Sequence, residues 1–293
     1  MWIIPCHMGI PLPRDTKGGD SVSTSCLIAS GKGGVGKSVI TANLGAALAS
    51  RGFSVAVIDA DIGLRSQDAM FGLADSVVYD LIDVLNDDCA LEQALLEVPS
   101  VPGLKLLPAA QFARARSLGS RKFSTLLTDM KLTFDYILID APAGIEKGFR
   151  SLLNALPDEI ILITTADELC IRDAERAAQV IDKKELSRPQ LIVNRLDNEL
   201  IRRREMMTAG VISASLDLPL LGEIPDDPAV YRSILRRNLF LDYDCPARSA
   251  VLRIASRMAG ETVPFPSFGS QRIPLLRRLF SKDLKEVTPL ERH

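Results

Sequence analysis

The sequence predicts an α/β fold, a doubly wound and mostly parallel sheet with helices on both faces, followed by a C-terminal amphipathic helix. Short apolar runs alternate with amphipathic segments at a regular beat along most of the chain, as in strand–helix units that build a covered parallel sheet. A glycine-rich loop stands between the first apolar run and the first long helical pattern, and the composition shifts abruptly near residue 260.

The elements follow in order. Residues 1–24 carry no basic leader, their apolar stretch is broken by Pro5, Pro11 and Pro13, and no cleavage motif follows, so they read as a loose N-terminal extension rather than a signal peptide. The runs CLIAS (26–30), VAVID (55–59), LKLLP (104–108), YILID (136–140), EIILIT (159–164), QLIVN (190–194) and PLLGEI (219–224) read as strands buried on both faces. Helical patterns cover 37–50, 117–131, 168–183 and 202–213. One doubly wound domain over residues 25–262 accommodates all of them. A Pro-, Gly- and Ser-rich linker at 263–271, a helix at 272–287 and a tail at 288–293 complete the chain.

Composition excludes whole classes of chemistry. The chain has 293 residues, 47% hydrophobic and 25% charged, which is the balance of a protein with a full core. Its 35 Lys and Arg against 37 Asp and Glu give a net charge of −2, so no global positive field draws it to nucleic acid, and nucleic acid is not expected as a partner. The two histidines, His7 and His293, stand at opposite ends, which disfavours a histidine triad, a zinc site or a histidine base. Five scattered cysteines without a C-x-x-C pair read as reduced thiols in a cytoplasm and argue against a metal cluster within one chain.

The strongest motif is Gly31-Lys32-Gly33-Gly34-Val35-Gly36-Lys37-Ser38, a G-x-x-x-x-G-K-[ST] match between strand and helix and followed by Val39. Glycines let backbone N–H groups turn inward around phosphate oxygens, and the helix N-terminus adds its partial positive charge. Lys37 is placed to reach β and γ phosphates and Ser38 to ligate Mg²⁺. Asp140 ends the strand YILID, while Asp59 and Asp61 end the preceding VAVID run. In a parallel sheet the C-terminal strand ends form the ligand crevice, so all three carboxylates are expected beside the loop, with Asp59 and Asp140 as metal candidates.

Lys32, directly after the first glycine, gives the loop the K-G-G-V-G-K-[ST] form. The chain thereby resembles the deviant Walker A P-loop ATPases, the group that includes MinD, ParA and the nitrogenase iron protein. The strings AVIDADIGLRSQDAMFG, VVYDLIDVL, LKLLPAAQ, FDYILIDAPAGIEKG and LGEIPDD are similar to the MinD branch in order and spacing. The resemblance implies ATP and Mg²⁺ as cofactors, ATP hydrolysis, and Lys32 acting in trans across an ATP-dependent homodimer. It implies a first switch at Asp59 and Asp61, with Asp61 orienting the attacking water, and a second at residues 140–146, with Gly144 free to move. It also implies that Asn194 binds the base, against which Pro225 and Asp226 lie. Ser38 in place of the commoner threonine and Ala141 in place of serine are departures from the family pattern.

The last segment points to a membrane surface. Ile273, Leu276, Leu279, Phe280, Leu284 and Val287 fall on one broad side of a helical wheel, with Arg277, Arg278, Lys282 and Lys285 toward the other. Such a helix lies in an anionic lipid interface, each large apolar side chain contributing roughly 1.5–3 kcal/mol and each basic residue about 1 kcal/mol. Ordering and association costs offset most of this, so one tail binds weakly and two tails on a dimer bind far better. The segment PLLRRLF also resembles the membrane-targeting helix of the MinD branch. By that resemblance the protein is cytoplasmic and peripheral on the inner face of the plasma membrane. Its implied role is placement of the division septum, with a MinC-like inhibitor and a MinE-like or other activator as partners. A flagellar-number regulator of the FlhG type and a ParA-like DNA-partition ATPase are the alternatives.

Overall fold

The computed structural model of the chain describes residues 23–111 and 118–266. Most of the expected N-terminal extension and the whole expected helix 272–287, including Ile273, Leu276, Arg277, Arg278, Leu279, Phe280 and Lys282, lie outside the described residues. The chain divides into two compact units, Met1–Val263 and Pro264–His293. In the second unit the described residues Pro264, Phe265 and Pro266 form no regular secondary structure.

In the first unit the strands are β1 (Thr24–Ala29), β2 (Val55–Asp59), β3 (Leu96–Glu97), β4 (Leu104–Leu107), β5 (Tyr136–Asp140), β6 (Glu159–Thr165), β7 (Gln190–Leu196) and β8 (Leu220–Pro225). They form one sheet in the order β3-β4-β2-β5-β1-β6-β7-β8. Every ladder is parallel except β3 against β4, where Leu96 pairs with Leu106. The helices are α1 (Lys37–Ser50), α2 (Gln67–Met70), α3 (Leu81–Leu85), α4 (Leu91–Ala94), α5 (Ser120–Met130), α6 (Lys147–Leu153), α7 (Glu168–Asp182), α8 (Asn198–Arg202), α9 (Ala209–Leu216), α10 (Pro228–Leu235) and α11 (Pro246–Met258).

Alternate residues of each central strand feed opposite layers. Cys26, Ile28, Val55 and Val57 pack with Ile40, Leu44 and Leu48 of α1 and with Val251 and Ile254 of α11. Leu27, Ala29, Ala56 and Ile58 pack with Phe123 of α5, Phe149 of α6, Ile181 of α7 and Ile212 of α9. Burial on both faces is what makes these strands continuous apolar runs rather than alternating ones.

Three expectations are corrected. The helix expected at 202–213 is two helices, because Arg204 takes a left-handed φ of 62° beyond the end of α8 and the Thr208 hydroxyl caps Val211 N–H at 3.3 Å to begin α9. Strand β1 begins at Thr24, paired to Tyr136, so the extension ends one residue sooner than expected. The two-residue strand β3 has no sequence signature of its own and forms by pairing to the edge of β4. Among the described residues no helix is long and apolar enough to cross a membrane.

Candidate nucleotide site

The site is positioned by topology. From β1 the chain runs through α1 to β2 on one side, and from β5 it runs through α6 to β6 on the other, so β1 and β5 flank a point where the winding reverses. Ligands of open α/β sheets bind outside the carboxyl ends of strands at such a point. Here those ends carry the loop Gly31 to Gly36, Asp59 and Asp140.

Gly36 is the residue before α1 and takes a left-handed conformation, φ 96° and ψ 14°, which a residue with a Cβ enters only under strain. No side chain caps the helix and its first turn contains no acidic residue, so the leading N–H groups present unneutralised partial positive charge to the loop. These are the physical requirements of a phosphate cradle.

Lys37 is buried, and its Nζ lies 2.7 Å from Asp140 Oδ1. Asp140 is completely buried and also accepts from Gln67 Nε2 at 2.7 Å and from Thr41 Oγ1 at 3.5 Å. Its register partner across β2 and β5 is Asp59, equally buried. The Asp59 carboxylate accepts backbone N–H groups from Asp61 at 3.0 Å, Ser66 at 2.9 Å and Gln67 at 3.0 Å, so it shapes the loop that follows. Burial, with the charge of Asp140 adding to it, pushes the Asp59 carboxyl up to about 7 despite those donors and Lys37. Asp61 is buried at the loop's start. Its carboxylate has no hydrogen-bond partner among the described residues, and burial also raises it, with Lys37 opposing.

Around this centre the remaining expected residues take distinct positions. Lys32 is exposed; the Asp167 carboxyl before α7 is held below its ordinary range chiefly by the Cys170 backbone N–H, and the charge of Lys32 adds to this. Gly144, with φ 84°, donates its N–H to Ser30 O at 3.1 Å, which joins the loop after β5 to the phosphate loop. Gly31 abuts α7 so closely that a Cβ there would lie 2.1 Å from the Asp173 carbonyl oxygen. Asn194 donates to Val35 O at 2.8 Å, bracing the phosphate loop, and with Gly36, Val39, Pro225 and Asp226 it lines a cavity of about 290 Å³. The lining combines apolar Val39, Ile40 and Ile224 with polar and charged Asn194, Arg195, Asp226 and Asp227.

The phosphate loop and both strand-end carboxylates were legible in the sequence; Gln67 and Thr41 were not. Nothing in the spacing of the loop RSQD distinguishes a glutamine that turns inward from a solvated one. Asn43 is structural, accepting from Leu241 N–H at 3.1 Å and donating to Val39 O at 2.8 Å. The donor set near the loop, Ser38, Asp140 and Asp59, is all oxygen and suits a small hard cation such as Mg²⁺. The buried Oε1 of Gln67 beside it has no hydrogen-bond partner among the described residues.

Known proteins are similar to this chain in sequence and fold. A family model named ParA, described as an NUBPL iron-transfer P-loop NTPase, matches residues 21–259. The septum site-determining protein MinD of Synechocystis is 40% identical over 255 residues, covering 86% of this chain and 96% of that protein. The chain belongs to the MinD family of P-loop NTPases. The MinD of Bacillus subtilis is 35% identical over 258 residues, covering 87% of this chain and 96% of that protein. Among solved structures, the MinC:MinD cell division complex of Aquifex aeolicus superposes with a TM-score of 0.77 at 35% identity over 83% of this chain and 98% of that one. MinD of Pyrococcus horikoshii, complexed with Mg-ADP, gives 0.71 at 29% identity over 80% and 96%. The doubly wound, mostly parallel P-loop fold of this MinD-family chain is thus the one expected from its sequence.

Proposed function

We propose that this chain is a MinD-type ATP hydrolase that dimerises on ATP, binds the inner face of the plasma membrane through residues 272–287 and regulates placement of the division septum. The clustering of Lys37, Asp140, Asp59 and Asp61 at one switch point, in a chain 40% identical to a named MinD, carries this reading. The complexes of relatives with MinC and with Mg-ADP support a MinC-like partner and a magnesium nucleotide.

In this reading Gly33 to Gly36 and the leading N–H groups of α1 bind phosphate oxygens, and Lys37 exchanges its ion pair with Asp140 for a phosphate contact. Ser38, Asp140 and Asp59 are the residues that would hold Mg²⁺, and the ion would supply neutralisation of the phosphate charge. Asp61, whose carboxylate accepts no hydrogen bond among the described residues, orients the attacking water; its raised proton affinity keeps it a capable acceptor. Gly144, bonded to Ser30, senses the terminal phosphate. Exposed Lys32 reaches the nucleotide of a second copy, and the cavity lined by Asn194, Pro225 and Asp226 takes the base. A MinE-like or other activator accelerates the return step.

ATPase assay and co-sedimentation with anionic vesicles test the reading. ATP, but not ADP, is expected to bring the protein to vesicles, vesicles to raise hydrolysis, and Lys37→Ala to abolish both effects. Vesicle binding independent of nucleotide would sink the switch, and retardation of DNA at moderate salt without vesicle binding would favour a partition role.

A further inference from the structure

We propose that Gln67 is a positioning residue of the phosphate site, its side-chain amide tying the segment after Asp61 to Asp140 and to the first turn of α1. The proposal rests on the reading that this site takes Mg²⁺ and nucleotide.

Gln67 opens α2 and is fully buried. Both hydrogens of its amide are used: Nε2 donates to Asp140 Oδ2 at 2.7 Å and to Ser38 O at 3.0 Å. Its backbone N–H goes to Asp59 Oδ2 at 3.0 Å. One residue therefore fastens together the end of β2, the end of β5 and the start of α1, the three places from which the candidate magnesium ligands project.

The two oxygens of Asp140 are shared out between partners. Oδ1 faces Lys37 and Thr41, while Oδ2 faces Gln67. When Lys37 turns to a phosphate, Gln67 is the side-chain donor that keeps Asp140 oriented, because the single hydroxyl hydrogen of Thr41 is taken by Lys37 O at 2.9 Å. An apolar side chain of the same size would fill the space but leave Oδ2 buried without a donor, a costly arrangement. The amide also leaves Oε1 buried and without a partner, next to Asp140 and Ser38. Buried acceptors are normally satisfied, and a water of a hydrated Mg²⁺ is the class of donor that suits this neighbourhood.

The test uses the full chain with Gln67→Met, which keeps the volume and removes the donors, and Gln67→Glu. Binding of a fluorescent ADP is titrated with Mg²⁺, and hydrogen exchange is followed in the nucleotide-free protein over residues 62–70. Gln67→Met is expected to raise the half-saturating Mg²⁺ concentration about tenfold, with metal-free ADP binding little changed, and to deprotect the amides of Ser66 and Gln67. Gln67→Glu, which replaces the amide donors with a carboxyl beside Asp140, is expected to deprotect the same amides. Wild-type Mg²⁺ dependence and exchange in Gln67→Met would overturn the proposal. If that variant does not fold, wild-type exchange in Gln67→Glu overturns it instead. Failure of the unaltered protein to bind ADP would overturn the nucleotide reading, while the exchange experiment still judges the bridge.

Discussion

Lys37 and Asp140 form an ion pair of 2.7 Å in which the lysine is 6% exposed and the aspartate not at all. A pair so enclosed is costly to break from one side, because the abandoned charge stays buried. Lys37→Ala is therefore expected to lower the unfolding free energy by about 3 kcal/mol, as well as to abolish nucleotide binding. Adding Asp140→Asn removes the stranded charge, so the double variant is expected to recover most of the stability and none of the binding. Urea unfolding of the three proteins checks this; a double variant less stable than Lys37→Ala contradicts it.

Glu223 on β8 supplies a pH dependence remote from the phosphate loop. Burial pushes its carboxyl up to about 7, against the opposing charges of Arg253 and Arg257, and its Oε1 has no hydrogen-bond partner among the described residues. The folded protein thus holds a proton that the unfolded chain releases near 4.5. The sign follows: this group's contribution is full below that unfolded value and is lost as the pH rises through about 7. Glu223→Gln keeps the neutral form throughout and is expected to flatten the fall in stability between mildly acidic and alkaline pH, becoming the more stable protein above neutrality. Chemical unfolding midpoints on both sides of neutrality read this directly.

Two glycines of the phosphate loop are expected to respond differently to alanine. At Gly34, φ is 85° and nothing lies within 4 Å of a new Cβ, so the cost is that of left-handed backbone, roughly 1–2 kcal/mol. At Gly31 the Cβ would meet the α7 backbone at 2.1 Å, and two main chains would have to separate. Thermal unfolding without nucleotide is expected to rank Gly31→Ala well below Gly34→Ala. Equal melting temperatures would mean that α7 yields freely.

Truncation before Arg272 separates the two halves of the proposed function. The shortened chain is expected to bind nucleotide and dimerise as before, because every residue of the nucleotide site precedes the cut, and to lose vesicle binding altogether. Sedimentation with and without vesicles distinguishes this from a tail required for dimerisation.

The sequence made the sheet legible because its strands are covered on both faces, so burial leaves an unbroken apolar run such as YILID or VAVID. The phosphate loop was legible because its glycines and lysine have few other uses in that order. Asp59 was legible as a strand-end carboxylate but not as the acceptor of three backbone N–H groups, since hydrogen bonds from Asp61, Ser66 and Gln67 depend on how the loop closes. Asn194 was expected at the base; its bond to Val35 O shows it first as a brace of the loop. Gln67 was invisible for a related reason, as its importance comes from three neighbours that are distant or unremarkable in sequence. The break between α8 and α9 depends on a single left-handed arginine, a conformation that composition does not announce.

The close approach of Gly31 to Asp173 has a mechanical meaning. Side chains between two elements act as a compliant cushion, and at this point there is none: loop and helix meet main chain to main chain. On its other flank the same loop is bonded through Ser30 to Gly144. The spacing between the loop and α7 is therefore set by the two backbones themselves, and only a residue without a side chain fits between them.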